Sequence, residues 1–372
     1  MPRTRTKRLA AHQRLRYGEN PHTKNAEHLV ILPEKKDLFA AHRFEQILGR
    51  IPSYGNVAGL DEVVRTMTRI AACYAVNFGR SKRRRITVVQ KHGITCGAAV
   101  RTIPLRAPPR KRAEVTLESA RMAIAGDPES AHGGVVGANY VIDGVVASAL
   151  RSHLNDSNMP LRPFDVVVAA GFTKEAVRIL NRAKEARCIL LVNPALERMG
   201  KGSMERGVRY RFVRGGLLTE NVETPIPVIE EDGGAVYRIW GNKDPKKQGT
   251  DYVKLHQANL ALAWAVGAAP ANAIAITGDE MLLALAAGDQ NRKRAALRAK
   301  QMIFSVTEFL APKAAYSNGF FGFVDAPRVL AYGIDVIMVP AGSMRDQEIG
   351  MELADRTVLM QIPREWRSFA KE

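Results

Sequence analysis

Cysteine is scarce. Cys73, Cys96 and Cys188 are the only three in 372 residues, far apart and odd in number. They form no Cys-x-x-Cys, which excludes a disulfide framework and points to a reducing cytoplasm. No apolar run approaches a bilayer span, and no apolar signal core follows the basic start Met1-Pro2-Arg3-Thr4-Arg5-Thr6-Lys7-Arg8. Aromatics are only 6% of the chain and do not alternate with basic residues, which counts against a stacking platform for single-stranded nucleic acid. Helix-turn-helix, zinc-finger and RNA-binding signatures are missing. So are Gly-x-Gly-x-x-Gly, the Walker loop, Gly-x-Ser-x-Gly, and His-x-Glu with Cys-x-x-Cys. Dinucleotide binding, a Walker-type phosphate site, a nucleophile elbow and zinc-dependent deamination are therefore not indicated, and nothing offers clustered metal ligands.

Acid is missing where base is dense. Between Arg80 and Arg112 stand eleven Lys or Arg and no Asp or Glu, in a chain of formal charge +18. Such a field draws in polyanions: nucleic acid, phosphorylated metabolites or a polycarboxylate cofactor. A 46% hydrophobic and 25% charged composition describes a soluble globular protein with room for a core. The length suits two domains or one large duplicated one.

Apolar and turn signals alternate along the chain in an α/β manner. A helix is expected over about Asp61 to Asn77, then a strand Ile86 to Val89 ending at Lys91-His92, with a small-residue turn closed by Cys96 and Gly97. A helix Ala113 to Ala125 stops at Gly126, and Gly126-Asp127-Pro128 through His132-Gly133-Gly134 feeds a strand to Ile142. Asp165 opens a strand–helix–strand unit (Val166 to Ala169, Lys174 to Arg187, Ile189 to Val192), implying parallel strands. Met199 to Ser203 is the candidate boundary between two halves, 1–198 and 199–372. The second half offers a long helix Tyr252 to Ala268, a hairpin of Ala273 to Thr277 and Met281 to Ala286, and a helix Lys293 to Phe309. Strands Val336 to Val339 and Val358 to Ile362 follow.

Lys91-His92 is the sharpest chemical feature. Imidazole takes and returns a proton near neutrality, and an adjacent ammonium stabilises an oxyanion or meets a phosphate. A solvated pair at a strand end is the plain alternative. Gly133-Gly134 permits close backbone approach to a ligand or merely a turn, and Asp165 contacts a ligand or caps a turn.

The order Leu15-Arg16-Tyr17-Gly18-x-Asn20-Pro21-His22, Lys91-His92, Gly126-Asp127-Pro128 to Gly133-Gly134, Gly215-Gly216-Leu217-Leu218, Asn272-Ala273-Ile274, Phe320-Phe321-x-Phe323-x-Asp325 and Gly342-Ser343-x-Arg345-Asp346 resembles that of the AICAR transformylases. The resemblance covers nearly the whole chain, which looks like a stand-alone transformylase without the usual IMP cyclohydrolase domain. It implies a duplicated cytidine-deaminase-like α/β/α fold without zinc, and a homodimer with active sites at the subunit interface. The implied reaction passes a formyl group from 10-formyltetrahydrofolate to the 5-amino group of AICAR. By the same resemblance His92 is the base, Lys91 the polariser and Asn272 a neutral donor. Arg16, Tyr17, Gly133, Asp165, Phe320 and Arg364 hold the nucleotide, and Arg292, Phe323 and Asp325 line the folate side. A structural potassium ion held by backbone carbonyls is also implied. This sequence departs from the family pattern at Ile94 (often Asn or Ser), Thr95 (usually Pro), Asn318 (usually Asp), Gly322 (usually Pro) and Ser368 (usually His). The rival readings are a catalytically quiet nucleotide sensor and, with less support, a nucleic-acid-binding protein that uses the basic 80–112 field.

Overall fold

Residues Ile86 to Gln90 are buried without interruption, the mark of a strand covered on both faces rather than one with a wet side. The computed structural model describes residues 8–20, 22–32, 37–79, 83–155, 160–181, 188–222, 224–229, 238–241, 249–306 and 314–368. Residues 1–7 of the basic start, Pro21, Arg80 to Lys82, the expected helix ends at Arg187 and Phe309, and Phe369 lie outside the described residues.

In chain order the first elements are β1 (Arg8–Arg14), β2 (Glu27–Leu32), β3 (Glu45–Leu48), α1 (Tyr54–Phe78), β4 (Arg84–Lys91), β5 (Ile94–Thr102) and α2 (Pro109–Ala125). Then come β6 (Gly134–Ile142), α3 (Gly144–Ser152), β7 (Phe164–Phe172), α4 (Lys174–Leu180) and β8 (Ile189–Val192). The second half holds β9 (Gly207–Val213), β10 (Gly216–Val222), β11 (Arg238–Trp240), α5 (Gly249–Leu255), α6 (Gln257–Val266), β12 (Ile274–Gly278) and β13 (Met281–Ala286). It closes with α7 (Arg292–Val306), β14 (Ala314–Ser317), α8 (Asp325–Ala331), β15 (Val336–Pro340), α9 (Asp346–Glu352) and β16 (Val358–Ile362).

Twelve strands form one mixed sheet in the order β11-β16-β15-β14-β12-β13-β5-β4-β6-β7-β8-β3, while β1-β2 and β9-β10 are separate antiparallel ribbons. The order reads the same outward from the centre. On each side an antiparallel hairpin meets a strand antiparallel to it, then two parallel neighbours, then a short antiparallel edge strand. The sheet is continuous past Met199 to Ser203. The central seam is thin: β5 and β13 pair at Ala99 and Met281. Arg101 reinforces it, its guanidinium bonding the Asp279 carbonyl (2.7 Å), the Asp279 carboxylate (2.9 Å) and Glu118 (2.9 Å). One hydrophobic core lies between the sheet and α1, α5 and α6, and a second lies between the other face and the remaining helices, giving three layers.

Several expectations need correction. Ile94 to Gly97 is strand, not turn: the reversal is His92-Gly93 alone, both left-handed (φ 50° and 75°), as a two-residue hairpin requires. The long helix expected over Tyr252 to Ala268 is two helices. They break at His256 (φ −107°, ψ 12°), whose ring nitrogen lies 3.3 Å from the Asp335 carboxylate. Helix α1 begins seven residues earlier than Asp61, because Ser53 and Asn56 form a capping box. Strands β1, β2 and β3 were not expected at all. Cys73 is fully buried in the core.

Candidate active site

The strand directions decide which residues can meet. With β4 antiparallel to β6 and β12 antiparallel to β14, one edge of the sheet collects the C-terminal end of β4 and the N-terminal ends of β6, β7 and β12. The C-terminal ends of β13 to β16 finish on the same edge. The twelve residues singled out from the sequence lie on or beside it, in two clusters.

The first cluster surrounds the β4–β5 turn. Lys91, half-buried, donates from Nζ to the His132 carbonyl at 2.6 Å, while His92 at the turn is exposed. Gly133 (φ 71°) donates its N–H to the Pro163 carbonyl at 2.9 Å, and a Cβ there would meet open space. Left-handed geometry is thus what Gly133 supplies. Gly134 supplies closeness, since a Cβ there would sit 2.8 Å from the Gln90 carbonyl. Asp165 is exposed at the register shift between β6 and β7. Arg16 and Tyr17 are tied to the start of α1: Arg16 N–H donates to the Pro52 carbonyl, and Tyr54 N–H to the Tyr17 carbonyl, both at 3.0 Å. The Arg16 guanidinium lies over the Tyr17 ring (4.6 Å) and donates to its hydroxyl (3.0 Å), yet its buried Nε and Nη1 have no partner. Buried donors without acceptors on a cation suit an anionic group. Cavities of about 510 and 310 Å³ open beneath the β1–β2 ribbon, and neither is lined by Lys91 or His92.

The second cluster lies across the seam. Asn272 donates from Nδ2 to the Asp289 carbonyl (2.8 Å), pinning the β12 entry to the loop before α7. Arg292 donates to Asn318 Oδ1 (2.8 Å) and Ser317 Oγ (3.2 Å), and burial pushes it down to about 10. Lys293 stands 3.8 Å from Asp325, and Arg345 lies over the exposed Phe323 ring (5.2 Å). Phe320 carries Arg367 over its ring at 5.0 Å, and a Cβ on Gly342 would strike the Arg367 guanidinium (2.9 Å).

Arg367 is the residue that sequence reasoning missed. It is half-buried with an unpartnered buried Nε, and burial together with the nearby Arg364 lowers its pKa, whereas Arg364 itself is exposed. Tertiary contacts with Phe320 and the Ala341-Gly342 backbone separate these two arginines. Two of the sequence departures, Asn318 and Ser368, are accounted for locally. Asn318 is fully buried, accepts from the Ala273 N–H (3.0 Å) and donates to the Ala269 carbonyl (3.0 Å), a bond that an ionised carboxylate could not make. Ser368 bonds the Tyr316 hydroxyl at 2.8 Å, and Gly322 faces open space.

The clusters do not converge within one chain. Five strand intervals separate β6, which Gly133 immediately precedes, from β14, which Phe320 follows by three residues, or ~24 Å at the usual strand spacing. Lys91 and Asn272 are three intervals apart, ~14 Å.

Among the described residues, no group of three His, Cys, Asp or Glu is arranged to hold a metal ion, and no helix is long and apolar enough to cross a membrane. The bifunctional purine biosynthesis protein purH of Dictyostelium discoideum is 28% identical over 338 residues, covering 90% of this chain and 53% of that protein. The PurH protein of Thermotoga maritima is 27% identical over 344 residues, covering 90% of this chain and 58% of its own length. This chain thus spans little more than half the length of these curated relatives. A family model described as the AICARFT/IMPCHase bienzyme matches residues 1–302. On that match, the chain belongs to the AICARFT/IMPCHase bienzyme family.

Proposed function

We propose that this chain is a formyltransferase of purine biosynthesis that moves the formyl group of 10-formyltetrahydrofolate to the 5-amino group of AICAR. The observation that carries the reading is the juxtaposition on one sheet edge of a Lys-His turn and the Arg16 guanidinium, whose buried Nε and Nη1 have no partner. The amine of AICAR is a poor nucleophile because its lone pair is delocalised into the ring. As its nitrogen bonds the formyl carbon, His92 takes its proton. The carbonyl oxygen becomes an oxyanion met by the Lys91 ammonium and the Asn272 amide. Collapse breaks the bond from the formyl carbon to N10 of the folate, and N10 takes back the proton from His92.

Arg16, with Tyr17, Gly133 and Asp165, takes the nucleotide from one side, and Phe320, Arg364 and Arg367 take it from the other. Arg292, Phe323 and Asp325 face the folate. Since ~24 Å exceeds the reach of a mononucleotide, these two sets meet one AICAR only when a second copy of the chain presents its edge. The functional unit in this reading is therefore a cytoplasmic homodimer with two shared sites. The mirrored strand order supports two duplicated cytidine-deaminase-like halves, 1–198 and 199–372; in this reading they work without zinc. The potassium ion implied by resemblance has no part in the reaction as drawn. The test is release of tetrahydrofolate from 10-formyltetrahydrofolate with AICAR, by wild type and His92→Ala. An AICAR-dependent rate that falls about a hundredfold in the variant supports the reading. Nucleotide binding with no turnover would replace it with a sensor.

A further inference from the structure

The apolar run of β4 ends in a buried polar residue, Gln90, which is 4% exposed and immediately precedes Lys91. Leucine would continue the run at no polar cost. Instead the Gln90 amide donates from Nε2 to Thr66 Oγ1 (2.9 Å), Thr95 Oγ1 (3.1 Å) and the Glu62 carbonyl (3.3 Å), while its buried Oε1 has no partner. Retaining a half-satisfied amide in a core needs a reason. Threonine hydroxyls donate or accept, but the Glu62 carbonyl only accepts, which sets the amide with Nε2 toward α1 and Thr95.

The position supplies that reason. The β4–β5 ladder shifts register between Val89 and Gln90, leaving Cys96 as the extra residue just below the turn. A bulge loosens the rungs that would otherwise stiffen His92-Gly93. Gln90 spans that weak point, joining Thr95 of the opposite strand to Glu62 and Thr66 of α1. The same helix carries Arg16 and Tyr17 at its start, two to three turns earlier, and it lies close on β6, where a Cβ at Gly59 would meet Val135 at 2.8 Å.

We infer that Gln90, with Thr66 and Thr95, is a strut that fixes the spacing between the anion anchor at the start of α1 and the Lys91-His92 turn. Gln90 is thus a positioning residue for the proposed reaction, and this role rests on the formyl-transfer reading. Gln90→Leu and Thr95→Val remove the strut at nearly constant volume, and Thr95→Ser keeps its hydroxyl. Losing one such buried bond should lower kcat about three- to tenfold, with KM for AICAR within about twofold of wild type. Thr95→Ser should retain the rate, and the double variant should be no slower than Gln90→Leu alone. Hydrogen exchange at the amides of residues 91–94 should quicken in Gln90→Leu and Thr95→Val but not in Thr95→Ser. Wild-type kcat with unchanged exchange in Gln90→Leu overturns the inference. So does a rate loss matched by an equal rise in KM. If the wild-type protein transfers no formyl group, the functional reading fails, and the exchange measurement still decides whether the strut exists.

Discussion

A heterodimer built from two dead subunits tests site sharing directly. One subunit carries His92→Ala, which removes the proposed base from the first cluster. The other carries Arg367→Gln, which removes a guanidinium from the second. Along the sheet the strands bearing these clusters stand ~24 Å apart, so no single AICAR reaches both within a chain. In a twofold dimer each site then combines the first cluster of one copy with the second cluster of the other. A heterodimer places both lesions in one site and leaves the other intact, so co-expressed, doubly tagged and tandem-purified protein should show about half the wild-type rate. Each homodimer variant alone should be nearly inactive. A heterodimer as dead as its parents would refute the reasoning, because it would mean that both clusters serve a site within one chain.

Further outcomes follow from local geometry. A Cβ at Gly97 would stand on the Ala123 carbonyl of α2, so Gly97→Ala should cost about 3 kcal/mol or more in denaturant unfolding; an unchanged midpoint would show that α2 can shift. Asn318→Ala leaves the half-buried Arg292 without its shortest acceptor and should cost roughly 1.5 to 3 kcal/mol, read from chemical denaturation. Burial, and then His12 and His42, hold the His28 pKa below 6.5. Between that folded value and 6.5 the unfolded chain binds the extra proton, so stability falls as pH drops through this window and levels off beneath it. Melting temperatures from pH 8 to 5 should show this slope, and His28→Asn should flatten it.

Local structure was more legible in the sequence than the tertiary geometry that organises it. The buried run before Lys91, the helix stop at Gly126 and the hairpin over Asp279 are local events, set by side-chain pattern and turn chemistry. What escaped depends on distant partners. The β1–β2 ribbon is mostly exposed, so it has no inward apolar period to read. The break at His256 goes with a ring facing Asp335, seventy-nine residues away in the chain. Nothing in Arg364-Glu365-Trp366-Arg367 distinguishes its two arginines until Phe320 folds under one of them. The joining of both halves into one sheet rests on a bridge between Ala99 and Met281, which no sequence window contains.

A crystal structure with AICAR bound bears most directly on the proposed chemistry. The 5-amino nitrogen should lie within about 3.2 Å of the His92 ring or one water from it, with the phosphate on Arg16 and the second copy's Phe320 cluster completing the pocket. A nucleotide seated elsewhere, or one whose amine points away from His92 while a single chain encloses it, would contradict the account.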